Sequence, residues 1–181
     1  TSYSVTVTDA NGCQATAGET VTVHPLPTPV ISGDIEICFG ESTTLTASGG
    51  TIYIWSNGST TNSITVSPTT TTSYSVTVTD ANGCQATASE IITVHPLPTP
   101  TISGDNEICF GETTSLTASG GIYYIWSNGS TTNSITVSPT ATTSYSVTVT
   151  DANGCQATAS ETVTVHPLPT PSINGDNEIC F

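Results

Sequence analysis

Short runs in which β-branched and polar residues alternate recur along the whole chain. In one stretch they fall at 42–48 (STTLTAS), 52–56 (IYIWS), 63–66 (SITV), 73–79 (SYSVTVT) and 84–94 (CQATASEIITV). Turn clusters separate them: Gly49-Gly50, Ser56-Asn57-Gly58, Ser67-Pro68 and Ala81-Asn82-Gly83. Alternation with period two marks strands with one buried face, and the clusters mark their ends. Asn82-Gly83 between two such runs predicts a hairpin closed by a type I′ turn, which needs positive φ at both central positions. Tyr74, Val76 and Val78 then share one face, as do Ile92 and Val94; Leu45, Tyr53 or Ile54, and Trp55 complete a small core. No segment shows a helical period. Strands at this spacing predict one small antiparallel sandwich per repeat.

The pattern repeats every 71 residues. TSYSVTVTDANGCQATA stands at 1–17, 72–88 and 143–159, and residues 30–100 match 101–171 at 62 of 71 positions. Self-similarity on this scale means an array of equal modules. Where the copies differ, the differences carry information. Thr20, Ile91 and Thr162 occupy one site, which tolerates a polar residue and is expected to be exposed. Val21, Ile92 and Val163 occupy the next, which stays apolar and is expected to be buried. His95-Pro-Leu-Pro-Thr-Pro100 has copies at 24–29 and 166–171. Three prolines in six residues favour stiff extended backbone and remove donors a sheet would need, so this segment is the natural linker.

Composition narrows the function. The 181 residues include 14 acidic side chains, three histidines and no lysine or arginine, for a net charge of −14. Without a cation, no surface can clamp nucleic-acid phosphate or anionic lipid, and no P-loop lysine, Schiff-base lysine, arginine finger or lysine-based isopeptide staple can exist. No apolar run approaches membrane-spanning length. Nothing at the start resembles a signal peptide; Thr1-Ser-Tyr-Ser-Val reads as a strand under way, as in an excerpt of a longer protein.

The order Cys38, Trp55, Tyr74 resembles an immunoglobulin-type sandwich, with a Cys near strand B, a Trp on strand C and a Tyr opening strand F. The phrases EICFGESTTLTAS, YIWSNGSTTNSITVSP and SYSVTVTDANGCQATAS resemble more narrowly the Ig-like and PKD-like repeats of giant Bacteroidota cell-surface proteins, including type IX-secreted adhesins of the gliding type. The resemblance covers nearly the whole chain. It implies an all-β fold of tandem immunoglobulin-like antiparallel β-sandwich modules with a 71-residue repeat, exported to the cell surface. Modules of this kind serve as spacers, adhesive units and filament subunits alike. The chain departs from antibody domains in one respect: Cys84 lies ten residues after Tyr74 rather than two, so the usual bridge cannot be carried over.

The six cysteines, Cys13, Cys38, Cys84, Cys109, Cys155 and Cys180, follow the 71-residue period in two classes. An even count in an exported β-protein reads as disulfides, and the absence of a CxxC pair speaks against zinc. Periodicity leaves three sensible schemes: Cys38–Cys84 within a module, Cys38–Cys155 between successive modules, or Cys13–Cys38, Cys84–Cys109 and Cys155–Cys180 across the proline segments. The immunoglobulin resemblance counts against the first, since the two cysteines would lie at opposite ends of the sandwich. The sequence stops at Phe181, one residue past Cys180, which favours the third scheme and a parse into a partial repeat 1–38 and modules 39–109 and 110–180; the conventional alternative places boundaries at 24–29, 95–100 and 166–171. The third scheme needs the strand before Cys38 to fold back beside the strand after Cys13, with a bulge near Gly18 or Gly33 to reconcile Val21 and Val23 with Ile31 and Ile37.

Other residues have weaker claims. Trp55 and Trp126 would serve as sugar-stacking platforms if exposed, but their mid-strand setting predicts core. The acidic sets Asp34, Glu36, Glu41 and Asp105, Glu107, Glu112 offer oxygen ligands for calcium, but match no EF-hand spacing; solvated charge is the expectation and no metal site is assigned. Asp80-Ala81-Asn82-Gly83 reads as a plain turn. Asn57 and Asn128 head N-glycosylation sequons. His24, His95 and His166 have no nucleophile or acid near them in sequence, so no catalytic residue is assigned and no enzyme is expected. The reading that results is a structural repeat of a long secreted bacterial fibre, adhesin stalk or filament, extracellular and stapled by disulfides. Its partners would be neighbouring repeats or further copies of itself. The rival is a repeated carbohydrate- or partner-binding module acting by avidity.

Overall fold

The computed structural model describes residues 1–175 and 178. Sixteen strands and no helix are found among them. β1 (Ser2–Thr8) and β2 (Gln14–Thr20) form a two-stranded hairpin. Seven strands then build a sandwich: β3 (Val30–Ser32), β4 (Glu36–Cys38), β5 (Thr43–Ser48), β6 (Ile52–Trp55), β7 (Ser63–Val66), β8 (Thr72–Thr79) and β9 (Gln85–His95). One sheet has the order β3-β5-β7 and the other β4-β9-β8-β6. Seven more strands repeat the plan: β10 (Thr101–Ser103), β11 (Glu107–Cys109), β12 (Thr114–Ser119), β13 (Tyr123–Trp126), β14 (Ser134–Val137), β15 (Thr143–Thr150) and β16 (Gln156–His166), in sheets β10-β12-β14 and β11-β16-β15-β13. The chain divides into two compact units, Thr1–Val94 and His95–Phe181.

Alternation produces each core directly. Along β5 every second residue is buried, which brings Thr43, Leu45 and Ala47 inward. Trp55 stands opposite Val76 in the register of β6 and β8, and Leu45 opposite Ile64 in that of β5 and β7. Leu45, Trp55, Ile64, Val66, Val76, Val78 and Ile92 fill the space between the sheets, with Tyr53 and Tyr74 packed at the margin. Ile54 points the other way and is 49% exposed, so the inward residue of that pair is Tyr53. The second unit uses Leu116, Trp126, Ile135, Val137, Val147, Val149 and Val163 in the same way. Ile92 and Val163 are buried, while Ile91, Thr20 and Thr162 are exposed.

The first strand of each sandwich is split between the two sheets. β3 pairs antiparallel with β5, Ile31 opposite Ala47. The chain then crosses over, and β4 lies at the edge beside β9. In the second unit the corresponding pair is parallel, with Ile108 opposite Val165 and Cys109 opposite His166. The sandwich is therefore antiparallel except at this edge. Glycine makes the crossing possible. Gly33 and Gly104 have φ of +141° and +140°, and a Cβ there would run into the carbonyl oxygen of Thr44 or Ser115. The buried Thr43 and Thr114 hydroxyls fix the far side of the crossing, donating to the carbonyls of Asp34 and Asp105 at 2.8 Å. Replacing Gly104 by Ala is expected to destabilise the second unit by about 1–3 kcal/mol; an unchanged urea midpoint for that unit would remove this role.

The expected fold-back is not what forms. β4 pairs with β9 inside one sandwich rather than with the strand after Cys13, and no bulge near Gly18 is required. Val21 and Val23, which would have faced in, are exposed. The crossing at Gly33 explains the change: it turns Ile37 into the core from the second sheet, where Ile37 is 6% exposed. A cut between 38 and 39, or between 109 and 110, would part β4 and β11 from the strands they pair with. The sheets instead occupy Val30–His95 and Thr101–His166.

Candidate functional site

Chemistry-bearing residues gather at the two ends of each sandwich, and strand direction decides which end each one reaches. At the end where the chain enters, the loop between β8 and β9 closes on Asp80. Its Oδ1 accepts the backbone N–H groups of Asn82 at 2.8 Å and Cys84 at 2.9 Å, while Gly83 N–H donates to the Asp80 carbonyl. Gly83 has φ of +82°, and no residue other than glycine has a positive φ among the described residues. The turn is therefore a three-residue loop ending in a left-handed glycine, not the type I′ turn that Asn-Gly suggests. The aspartate explains the difference. Its carboxylate accepts from the turn's own N–H groups and leaves Asn82 with no reason to adopt positive φ. The same bonds recur at Asp9 and Asp151.

Partial dehydration pushes the Asp80 carboxyl upward, but the N–H groups of Cys84 and Asn82, with the Asn82 side chain and His24, outweigh it and hold the group below its ordinary value. A lowered folded-state value means stability that is complete above the unfolded carboxylate range near ~3.9 and is lost as pH falls through the folded value. Urea melts of the first unit are thus expected to weaken below about pH 4. Asp80→Asn keeps an acceptor oxygen but removes the charge, so it should flatten part of that acid dependence; an identical pH profile would contradict the assignment.

At the opposite end, where the chain leaves, β4 and β11 present Cys38 and Cys109. Glu41 Oε2 accepts the Cys38 N–H at 3.0 Å and its own N–H returns to the Cys38 carbonyl; Glu112 does the same for Cys109. Phe110 N–H donates to the His166 carbonyl, and His166 Nε2 lies 3.7 Å from Glu107 Oε2. The acidic sets are thus partly used in local structure. Among the described residues no group of three or more His, Cys, Asp or Glu side chains is placed to hold a metal ion.

Cys38 and Cys155 are disulfide-bonded, whereas Cys13, Cys84 and Cys109 carry free thiols. The pairs Cys13–Cys38 and Cys84–Cys109 are therefore not formed. They depended on β4 lying beside the strand after Cys13 and on β11 lying beside β9. Each strand instead joins a later partner in its own sandwich, which carries its cysteine to the far end. The pair Cys155–Cys180 involves a residue outside the described ones.

Trp55 and Trp126 are 2% and 1% exposed, and each indole N–H donates at 2.9 Å to a backbone carbonyl, of Thr61 and Thr132. Neither offers a face to a sugar. Asn57 and Asn128 are exposed in the turns after β6 and β13, where each side-chain oxygen accepts the N–H two residues on. His24, His95 and His166 stand in separate copies of the proline segment.

No family model matches the chain, and no curated protein matches it. Solved structures do. A Ca2+-stabilized adhesin that helps an Antarctic bacterium reach out and bind ice is 22% identical, with a TM-score of 0.50, over 93% of this chain and 57% of that one. A 1.5-MDa bacterial ice-binding adhesin is 20% identical, with a TM-score of 0.44, over 92% and 74%. Murine CEACAM1b is 11% identical, with a TM-score of 0.39, over 78% and 100%. The fold is an immunoglobulin-like β-sandwich. Antibody domains pack a cystine that joins the two sheets against their core tryptophan. Here Leu45 and Val76 share the core with Trp55, and the cysteines have moved to the ends of the sandwich.

Proposed function

We propose that the chain is a structural repeat of a long secreted surface fibre or adhesin stalk, of the kind found in giant Bacteroidota adhesins exported by the type IX route. The observation that carries this reading is the polarity of each sandwich. In the second unit the chain enters at Thr101, and β11 reaches the far end only at Cys109, opposite His166, where the chain leaves. Entry and exit lie at opposite ends, so each copy added in series adds length. Cores that are complete within each sandwich give such arrays nearest-neighbour energetics, which suits growth by duplication. The lack of lysine and arginine leaves trypsin-like proteases no site, which suits life outside the cell.

The role is mechanical spacing and no reaction is assigned to it. The adhesin likeness supports the same reading at the level of fold. Repeated glycan recognition is the rival, and the burial of both tryptophans removes its most obvious platform. Negative-stain electron microscopy of arrays with different repeat numbers tests the reading. Length should rise linearly with repeat number. Particles whose longest dimension stays constant would overturn it, and glycan-array hits lost on altering exposed side chains would favour the rival.

A further inference from the structure

We propose that each repeat is stapled to its successor by one cystine, joining the cysteine at the exit end of one sandwich (Cys38) to the cysteine at the entry end of the next (Cys155). The proposal extends the stalk reading. Within the first sandwich Cys38 ends β4, the edge strand beside β9, and its counterpart Cys109 stands opposite His166, the last residue of β16. Within the second, Cys155 immediately precedes the first residue of β16. β16 is 11 residues long, so the two classes of cysteine lie ~36 Å apart along one sandwich. That is far beyond the ~7 Å that a disulfide allows between Cα atoms. A bridge inside a sandwich is thereby excluded, for Cys38 with Cys84 as for Cys109 with Cys155.

The polarity of the strands leaves one close arrangement. The exit end of one sandwich and the entry end of the next are the two ends that the segment 96–100 joins, and its span from His95 to Thr101 is at most about 20 Å. Cys38 belongs to the first of these ends and Cys155 to the second, and these two cysteines are the ones in disulfide linkage. Burial agrees. Cys155 is 1% exposed, whereas Cys84, in the same turn of the preceding sandwich, is only half-buried and carries a thiol.

The 71-residue period then assigns the remaining thiols. Cys109 is the exit-end half of the next staple, and its partner is the cysteine 71 residues beyond Cys155 in a following repeat. Cys84 is the entry-end half of the preceding staple. The binding partner of both is another copy of this same repeat. Each staple forms by loss of two protons and two electrons from two thiols, which oxidised glutathione accepts in becoming two molecules of reduced glutathione.

The test is peptide mapping of the 181-residue chain after refolding in a glutathione redox buffer. Free thiols are alkylated, and the chain is cut without reduction by proteases specific for acidic and aromatic residues. A single cystine linking the Cys38 and Cys155 peptides is expected, with Cys84 and Cys109 recovered alkylated. Cys38→Ser should abolish that linkage and release Cys155 as a thiol, and Cys84→Ser should leave it intact. In a chain lengthened by one repeat a second cystine should appear, from Cys109. Recovery of Cys13–Cys38, Cys84–Cys109 or Cys155–Cys180 would overturn the proposal, as would recovery of Cys38 and Cys155 both alkylated. The stalk reading would survive those results, because it rests on strand polarity. Particles of constant length with an intact Cys38–Cys155 bond would sink the stalk and spare the staple.

Discussion

Trp126→Ala is expected to cost the second unit about 3–5 kcal/mol, enough to consume much of the stability of a domain this size. Trp126 is 1% exposed and stands opposite Val147 between the sheets. Its removal leaves a cavity lined by Leu116 and its neighbours and strips the Thr132 carbonyl of its indole donor. Both losses act in the same direction, since an unfilled void and an unsatisfied buried acceptor each destabilise. Trp126→Phe keeps most of the volume and loses only the hydrogen bond and part of the contact, so it should cost about 1–2 kcal/mol. Calorimetry separates the units: one transition should fall by about 4–8 °C per kcal/mol, while the transition of the Trp55 unit stays in place. The result discriminates between functions. A surface sugar platform would lose binding on this change and little stability; a core residue loses stability first. A melting profile unaltered by Trp126→Ala would return the tryptophans to the candidate binding residues.

The strands that carry the core were legible because their alternation is long enough to read. Ser63–Val66 is found where its pattern places it, and the runs around Leu45, Trp55, Val76 and Ile92 shift by a residue or so at their ends. The split first strand was not legible. Val30–Ser32 and Glu36–Cys38 are three residues each, too short for a period to show, and the residue that separates their sheets is a single glycine. Their placement also depends on a parallel edge contact of the kind seen at Ile108 and Val165, which local pattern does not encode. The turn was half legible: Asn-Gly marked the hairpin, but the Asp80 carboxylate chose the conformation. For the cysteines, sequence supplied the period and the structure supplied direction. Two classes 71 residues apart admit several pairings, and only the knowledge that β4 and β9 run to the same end separates them.

Charge has a related lesson. Residues 30–100 hold five acidic groups, Asp34, Glu36, Glu41, Asp80 and Glu90, and no lysine or arginine to balance them. Two of the five have found backbone partners instead, Asp80 in the entry turn and Glu41 in the exit turn. N–H groups of the turns do part of what cations do elsewhere, and they do it at the ends of the sandwich. The turns that hold Cys38 and Cys84 are thus fixed by carboxylates, which presents each sulfur from a defined backbone without any salt bridge to Lys or Arg.

Amide hydrogen exchange should separate three copies of one sequence by a factor of at least ~10³. TSYSVTVTDANGCQATA occurs at 1–17, 72–88 and 143–159, so intrinsic exchange chemistry is the same in all three apart from end effects. Register is also the same: Val5 faces Ala17, Val76 faces Ala88, and Val147 faces Ala159. Only the environment differs. Val76, Val78, Val147 and Val149 are fully buried between sheets, while Val5 and Val7 are 58% and 62% exposed on a hairpin with no second sheet over it. Two strands alone are marginal in water, so β1 and β2 should exchange through frequent local opening. β8 and β15 should exchange only when their sandwiches unfold. Mass-spectrometric exchange resolves the copies if cleavage falls in the variable residues that flank them. Equal protection in all three would mean that the hairpin's ladder alone stabilises this sequence, and that the sandwich core contributes less than its burial implies. The expected inequality makes the opposite point: seventeen identical residues form the same hairpin three times, and the facing sheet decides whether it is a stable part of the molecule.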